Sequence, residues 1–116
     1  EKKIFTGDTL FSLGCGRIFE GTYKQMFDSL NKIKKLPKDT EIYCGHEYTL
    51  QNSNFCIAND SKNLQLKDKI IKIKEKLENG LPTIPTILDD EMQCNIFLKA
   101  KDVQYFSKLR DLKDNF

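Results

Sequence analysis

The 116 residues hold no apolar run near the ~18–20 needed to span a bilayer, which excludes a transmembrane helix. Only 6 glycines and 3 prolines occur, with no collagen-like or coiled-coil period, so fibrous classes are out. An excess of one charge is also missing: 19 basic against 17 acidic residues leave a net +2, too even to announce nucleic acid or an anionic membrane. The four cysteines, Cys15, Cys44, Cys56 and Cys94, include no C-x-x-C pair and fit no zinc-finger spacing. They read as reduced thilos of a cytoplasmic or organellar protein, not a secreted one. There is no signal-peptide pattern. The chain opens on Glu1 and runs directly into Lys2–Phe5, which reads as a fragment or a processed product.

Hydrophobic residues make up 39% of the chain, enough for one domain or two small subdomains. Lys2–Thr6 predicts a short strand ended by Gly7. Leu10–Leu13 is mostly apolar and leads into Gly14-Cys15-Gly16, where two glycines permit unusual dihedrals. Thr22 followed by Gln25 is a capping-box signature. Behind it Tyr23, Met26, Phe27, Leu30 and Ile33 form a helical stripe that should end near Lys35, before Leu36-Pro37. Glu41–Cys44 predicts a second strand. Asn59-Asp60-Ser61 is a break with Asp60 or Ser61 as cap, followed by a helix on Leu66, Ile70, Ile73 and Leu77 that Asn79-Gly80 stops. Its lysines read as a solvated face. Pro82 and Pro85 bracket an extended linker, Glu91–Lys99 is ambiguous, and Asp102 caps a last helix with Val103, Phe106 and Leu109 inside. The expectation is therefore an α+β chain: a short β-α-β over 1–46, then an all-helical part over 47–116.

Two residues could carry chemistry. Asp8 follows a strand and a glycine, where a carboxylate can serve as a hard oxygen ligand or a base, or simply as a turn aspartate. His46, the single histidine, follows the second strand and can bind a metal, move a proton or fill a structural role. If the two strands are parallel, both side chains meet at one sheet edge and could share a metal. Of the 19 basic residues only Arg17 and Arg110 are arginine, which suggests positions needing a planar fork for a carboxylate, against chance and a local pair with Asp114. Lys113 lies three residues after Arg110, on the same helix face. No Ser-His-acid pattern is present, a Cys44 nucleophile is disfavoured, and Gly14-x-Gly16 lacks the third glycine of a phosphate loop.

Thr6-Gly7-Asp8-Thr9-Leu10-Phe11, Gly14-Cys15-Gly16-Arg17 and Phe19-Glu20-Gly21-Thr22 closely resemble the central segment of glyoxalase II, the hydroxyacylglutathione hydrolases of the metallo-β-lactamase superfamily. Tyr43-Cys44-Gly45-His46-Glu47-Tyr48-Thr49 resembles that family's next signature. Pro82–Pro85, Phe97-Leu98-Lys99 and the set Phe106, Leu109, Arg110, Lys113, Asp114 and Phe116 resemble its C-terminal part.

The resemblance implies the C-terminal portion of an αββα sandwich over 1–46 and a helical glutathione-binding domain over 47–116. It implies two divalent metal ions, usually zinc, iron or manganese, with Asp8 as the bridging carboxylate and His46 as a ligand of the second metal. Arg17, Phe19, His46 and Tyr48 would lie along the glutathione part of the substrate, and Arg110 and Lys113 would hold its glycine carboxylate. The implied reaction is hydrolysis of S-D-lactoylglutathione by a protein that is monomeric at full length, with a small-molecule partner and neither nucleic acid nor membrane. Three departures stand out: the family's T-H-x-H-x-D-H motif and a further histidine are absent from these residues, Phe19 stands where some relatives carry Tyr, and Ile96 where the family often has Pro. With two ligands alone this segment should be inactive by itself. Two other readings compete: a non-catalytic glutathione- or anion-binding module, and a persulfide dioxygenase of the same superfamily, which generally lacks both the helical extension and the Arg110/Lys113 pair.

Overall fold

The computed structural model describes residues 2–7, 9–16, 22–45 and 48–116. In chain order the elements are β1 (Lys3–Gly7), β2 (Leu10–Phe11), β3 (Gly14–Cys15), α1 (Tyr23–Lys34), β4 (Glu41–Cys44), α2 (Thr49–Asn59), α3 (Leu64–Glu78), β5 (Thr86–Ile87), α4 (Leu88–Cys94) and α5 (Val103–Asp114). Strands and helices are both present, and the α+β expectation holds. β1 and β4 pair in parallel across α1, with Ile4 opposite Ile42 and Phe5 opposite Tyr43, and a register shift lies between Phe5 and Gly7.

Where α1, α3 and α5 begin follows from side chains that satisfy their first N–H groups. The Thr22 hydroxyl accepts from the Gln25 N–H at 3.1 Å, and the Gln25 side chain accepts from the Thr22 N–H at 2.9 Å, closing the expected capping box of α1. Asp102 caps α5 as expected, accepting from the Tyr105 N–H at 2.8 Å. For α3 the cap is Asn63, not Asp60 or Ser61. The Asp60 carboxylate is engaged elsewhere, by Lys99 Nζ at 2.8 Å and Asn63 Nδ2 at 2.9 Å, which leaves the Asn63 side-chain Oδ1 to receive the Leu66 N–H at 3.1 Å. Along α3 the apolar stripe fades: Leu66 and Ile73 are buried, Ile70 is half-buried and Leu77 is exposed.

The part expected to be all-helical, 47–116, contains a strand, which corrects that expectation. β5 pairs antiparallel with β4, Ile42 facing Thr86 and Glu41 facing Ile87, so β4 is the middle strand of three. Pro82 and Pro85 hold the approach extended. The β-branched pair Thr86-Ile87 then suits a strand. Leu88 and Asp89 N–H groups continue onto the carbonyls of Thr40 and Lys38, both at 2.9 Å.

The hydrophobic core gathers around the small β2–β3 hairpin, in which Leu10 and Leu13 are fully buried. The hairpin turns at Leu13, a non-glycine residue with φ 62°. Gly14 is needed for space: a Cβ there would stand 2.6 Å from Asn52 Nδ2, which donates to the Ser12 carbonyl at 3.2 Å. The left-handed backbone expected of the loop glycines is found at Leu13 and at Gly7 (φ 53°). Next to the hairpin, Phe97 stacks on Phe55 at 5.8 Å and meets Phe106 edge-on at 6.0 Å, and Phe27 of α1 reaches Phe106 at 5.8 Å.

Candidate functional site

Two strand ends carry the first part of the site. The Gly45 N–H donates to the Gly7 carbonyl at 2.7 Å, the last rung joining the ends of β1 and β4. Gly7, in the left-handed region that glycine tolerates, then turns the chain out of the sheet. Asp8 and His46 are the residues that follow these two glycines in sequence. Asp8, His46, Arg17 and Phe19 lie outside the described residues.

Their neighbours are described and are tied to one another. The Thr9 N–H donates to the Thr6 carbonyl at 2.9 Å, and the Thr6 hydroxyl donates to the Leu10 carbonyl at 2.8 Å. The Gly16 N–H donates to the Thr9 carbonyl at 3.2 Å, closing the open end of the hairpin. The backbone before and after Asp8, before Arg17 and before His46 therefore converges at one end of the sheet. Tyr48, at the start of α2, is 43% exposed, and its ring meets Phe11 of β2 edge-on at 5.2 Å.

Of the two sequence readings of Arg110, a fork for a carboxylate or a local pair with Asp114, the local pair is present. It is only 3% exposed. Its Nη1 donates to the Cys15 carbonyl at 2.9 Å, its Nη2 donates to the Asp114 carboxylate, and its guanidinium lies over the Phe97 ring, 5.4 Å from the centroid. Nε has no hydrogen-bond partner. The guanidinium thus braces α5 against the end of β3, one residue before Gly16 and two before Arg17. Lys113, one turn further on, is half-buried.

Sequence reasoning passed over the polar centre of the fold. Glu91 is completely buried. Its Oε1 accepts from the Leu13 N–H at 2.7 Å and from Asn95 Nδ2 at 3.1 Å, while Oε2 accepts from the Thr86 hydroxyl at 2.8 Å and lies 3.4 Å from Lys69 Nζ. Asn95, also fully buried, donates to the Gly14 carbonyl at 3.0 Å. This pair fixes the hairpin turn between the candidate residues Asp8 and Arg17. The available signal was Glu91 and Asn95 four residues apart in an apolar stretch, which a helix stacks on one face.

None of the four cysteines is bridged to another. Burial pushes Cys15 and Cys94 up to about 11 and Cys56 up to about 12, in Cys15 against the lowering pull of Arg110. Buried thiols of this kind are inert. Among the described residues, no group of three or more His, Cys, Asp or Glu side chains could hold a metal ion. Among them, too, no helix is long and apolar enough to cross a membrane.

Residues 47–116 match the family described as "Hydroxyacylglutathione hydrolase C-terminus". The chain is 66% identical over 116 residues to the hydroxyacylglutathione hydrolase of Pelagibacter ubique, covering 100% of this chain and 48% of that protein. It is 53% identical over 111 residues to the protein of the same name from Prochlorococcus marinus (strain MIT 9301), covering 96% of this chain and 45% of that one. It thus spans about half the length of the curated relatives it matches. The crystal structure of a metallo-β-lactamase from Staphylococcus aureus superposes with a TM-score of 0.52 at 20% identity, over 94% of this chain and 29% of that one, a likeness of fold.

Proposed function

From a chain that belongs to the hydroxyacylglutathione hydrolase family, we propose a full-length protein that hydrolyses the thioester S-D-lactoylglutathione to D-lactate and glutathione. The end-to-end match to relatives carrying that name is the observation that carries the reading. In it, residues 1–46 belong to the catalytic domain and 47–116 form the helical domain that receives glutathione.

Asp8 and His46 are the residues that would hold the metal pair. The Gly45–Gly7 rung supports this, because it joins the two strand ends from which they follow. A carboxylate and an imidazole suit a divalent ion of the zinc, iron or manganese kind. Such ions supply a water acidified toward neutral pH and polarise the thioester carbonyl. Two ligands are fewer than a binuclear site needs, so the others come from outside these residues.

The remaining candidates bind and orient. Tyr48 offers a partly exposed phenol whose ring meets Phe11. Arg17 and Phe19 follow the closed end of the hairpin, where they meet the tripeptide. Lys113 supplies a cation for the glycine carboxylate. Arg110 acts on the same carboxylate through the position that Asp114 now occupies on its Nη2, or from behind as the brace of β3.

Metal analysis and lactoylglutathione turnover of the full-length gene product test this. Stoichiometric metal with turnover is expected, and Asp8→Asn should lower kcat/KM by at least about a hundredfold. A metal-loaded protein that leaves the thioester intact would refute the reading.

A further inference from the structure

The β2–β3 hairpin has two residues in each strand, too few to hold a shape unaided. Residues 10–16 are buried, so their main-chain groups need partners inside the protein. Side chains supply them. The Leu10 carbonyl accepts from the Thr6 hydroxyl. Every carbonyl from Phe11 to Cys15 accepts from a side chain of the helical part, 40 to 95 positions further along the chain. Asn52 and Cys56, one turn apart on α2, donate to the Ser12 carbonyl at 3.2 Å and the Leu13 carbonyl at 3.1 Å. Arg110 takes the Cys15 carbonyl. Asn95, at the end of α4, takes one carbonyl from each strand: its Nδ2 lies 3.0 Å from that of Gly14 and 3.3 Å from that of Phe11. The amide is itself held in orientation, since its Oδ1 accepts from the Phe97 N–H at 3.0 Å and its Nδ2 is 3.1 Å from Glu91 Oε1. A hairpin held in this way takes its position largely from the helical part. In sequence, Asp8 stands two positions before Leu10.

We propose that Asn95 is a positioning residue for the metal pair. By clamping both strands it fixes where β2 starts, and with it the backbone that leads back to Asp8. The inference rests on the hydrolase reading and gives the helical part a second task besides receiving glutathione. Asn95 acts through the hairpin backbone, not on substrate.

The test uses the full-length protein carrying Asn95→Ala, with metal affinity measured by chelator competition and thioester turnover measured beside it. Metal dissociation constants should rise about tenfold, and at saturating metal kcat should fall by more than KM rises. Leu66→Val trims a fully buried side chain on α3 and measures what lost stability alone does; it should leave the metal constants within about twofold. Should Asn95→Ala fail to fold, Asn52→Ala releases the Ser12 carbonyl alone and should raise the metal constants about threefold. Unchanged metal constants in both hairpin variants, or an equal rise in Leu66→Val, would overturn the proposal and leave the hydrolase reading standing. A wild-type protein that binds metal but leaves the thioester intact would overturn that reading, and the metal constants would then decide the proposal by themselves. A wild-type protein that takes up no metal would overturn both.

Discussion

β1 and the β2–β3 hairpin are neighbours in sequence and opposites in burial. In β1 only Thr6 is buried, and Phe5 stands 79% exposed against Tyr43. Every residue of the hairpin strands is buried. The partners make the difference. The hairpin is surrounded by side chains from α2, α4, α5 and the 95–100 turn, whereas β1 rests mainly on β4. Burial in this chain is thus built from the C-terminal segment inward, and in sequence Asp8 stands between the exposed strand and the packed hairpin.

Substitutions on the two sides should separate them. Phe97→Ala removes a ring packed against Phe55, Phe106 and Arg110, and should cost ~3–5 kcal/mol in denaturant unfolding. Phe5→Ala should stay within about 0.5 kcal/mol, and a comparable loss there would break the comparison.

Glu91→Ala comes next, at ~3 kcal/mol or more, because it leaves the Leu13 N–H, Asn95 and Lys69 without their buried acceptor. Glu91→Gln keeps an oxygen for Leu13 and should lose less. Equal losses in the two variants would show that the turn does not depend on that acceptor.

Gly14→Ala should cost ~1–3 kcal/mol by driving a methyl into Asn52, with part of the loss recovered when Asn52→Ala removes the obstacle.

The smallest effect is a pH dependence. Cys15, Cys56 and Cys94 have native pKa values pushed above the ordinary 9.0 by burial. The unfolded chain therefore loses these protons first. Their contribution is whole below about pH 9 and is lost as pH rises through about 11 to 12. Melting temperature should fall across that window and the fall should shrink in Cys56→Ala. A flat profile would show that burial does not govern the thiols.

A regular amphipathic pattern made α1, α3 and α5 legible in the sequence, and cap chemistry placed the starts of α1 and α5, whereas for α3 several cap-competent side chains lie together and Asn63 is the one used. α2 was hidden because the face it buries is mixed: Thr49, Asn52 and Ser53 lie inward beside Phe55 and Cys56, and no apolar period results. The stretch from Glu91 to Lys99 was ambiguous for the same reason, since Glu91 and Asn95 are polar residues at fully buried positions. For the site, two short strands flanking one helix were legible, and the parallel pairing on which the sequence reading depended is present between β1 and β4. The Asp114 pair of Arg110 was open to sequence reading as an i,i+4 neighbour, but its contact with the Cys15 carbonyl, 95 residues away, was not.

The turn at Leu13 has a temporal consequence. Its left-handed backbone is secured by a carboxylate 78 positions later in the chain. On the ribosome the hairpin can emerge and collapse early. Its final shape must wait until Glu91 has been synthesised and brought back, which makes this corner one of the last to settle.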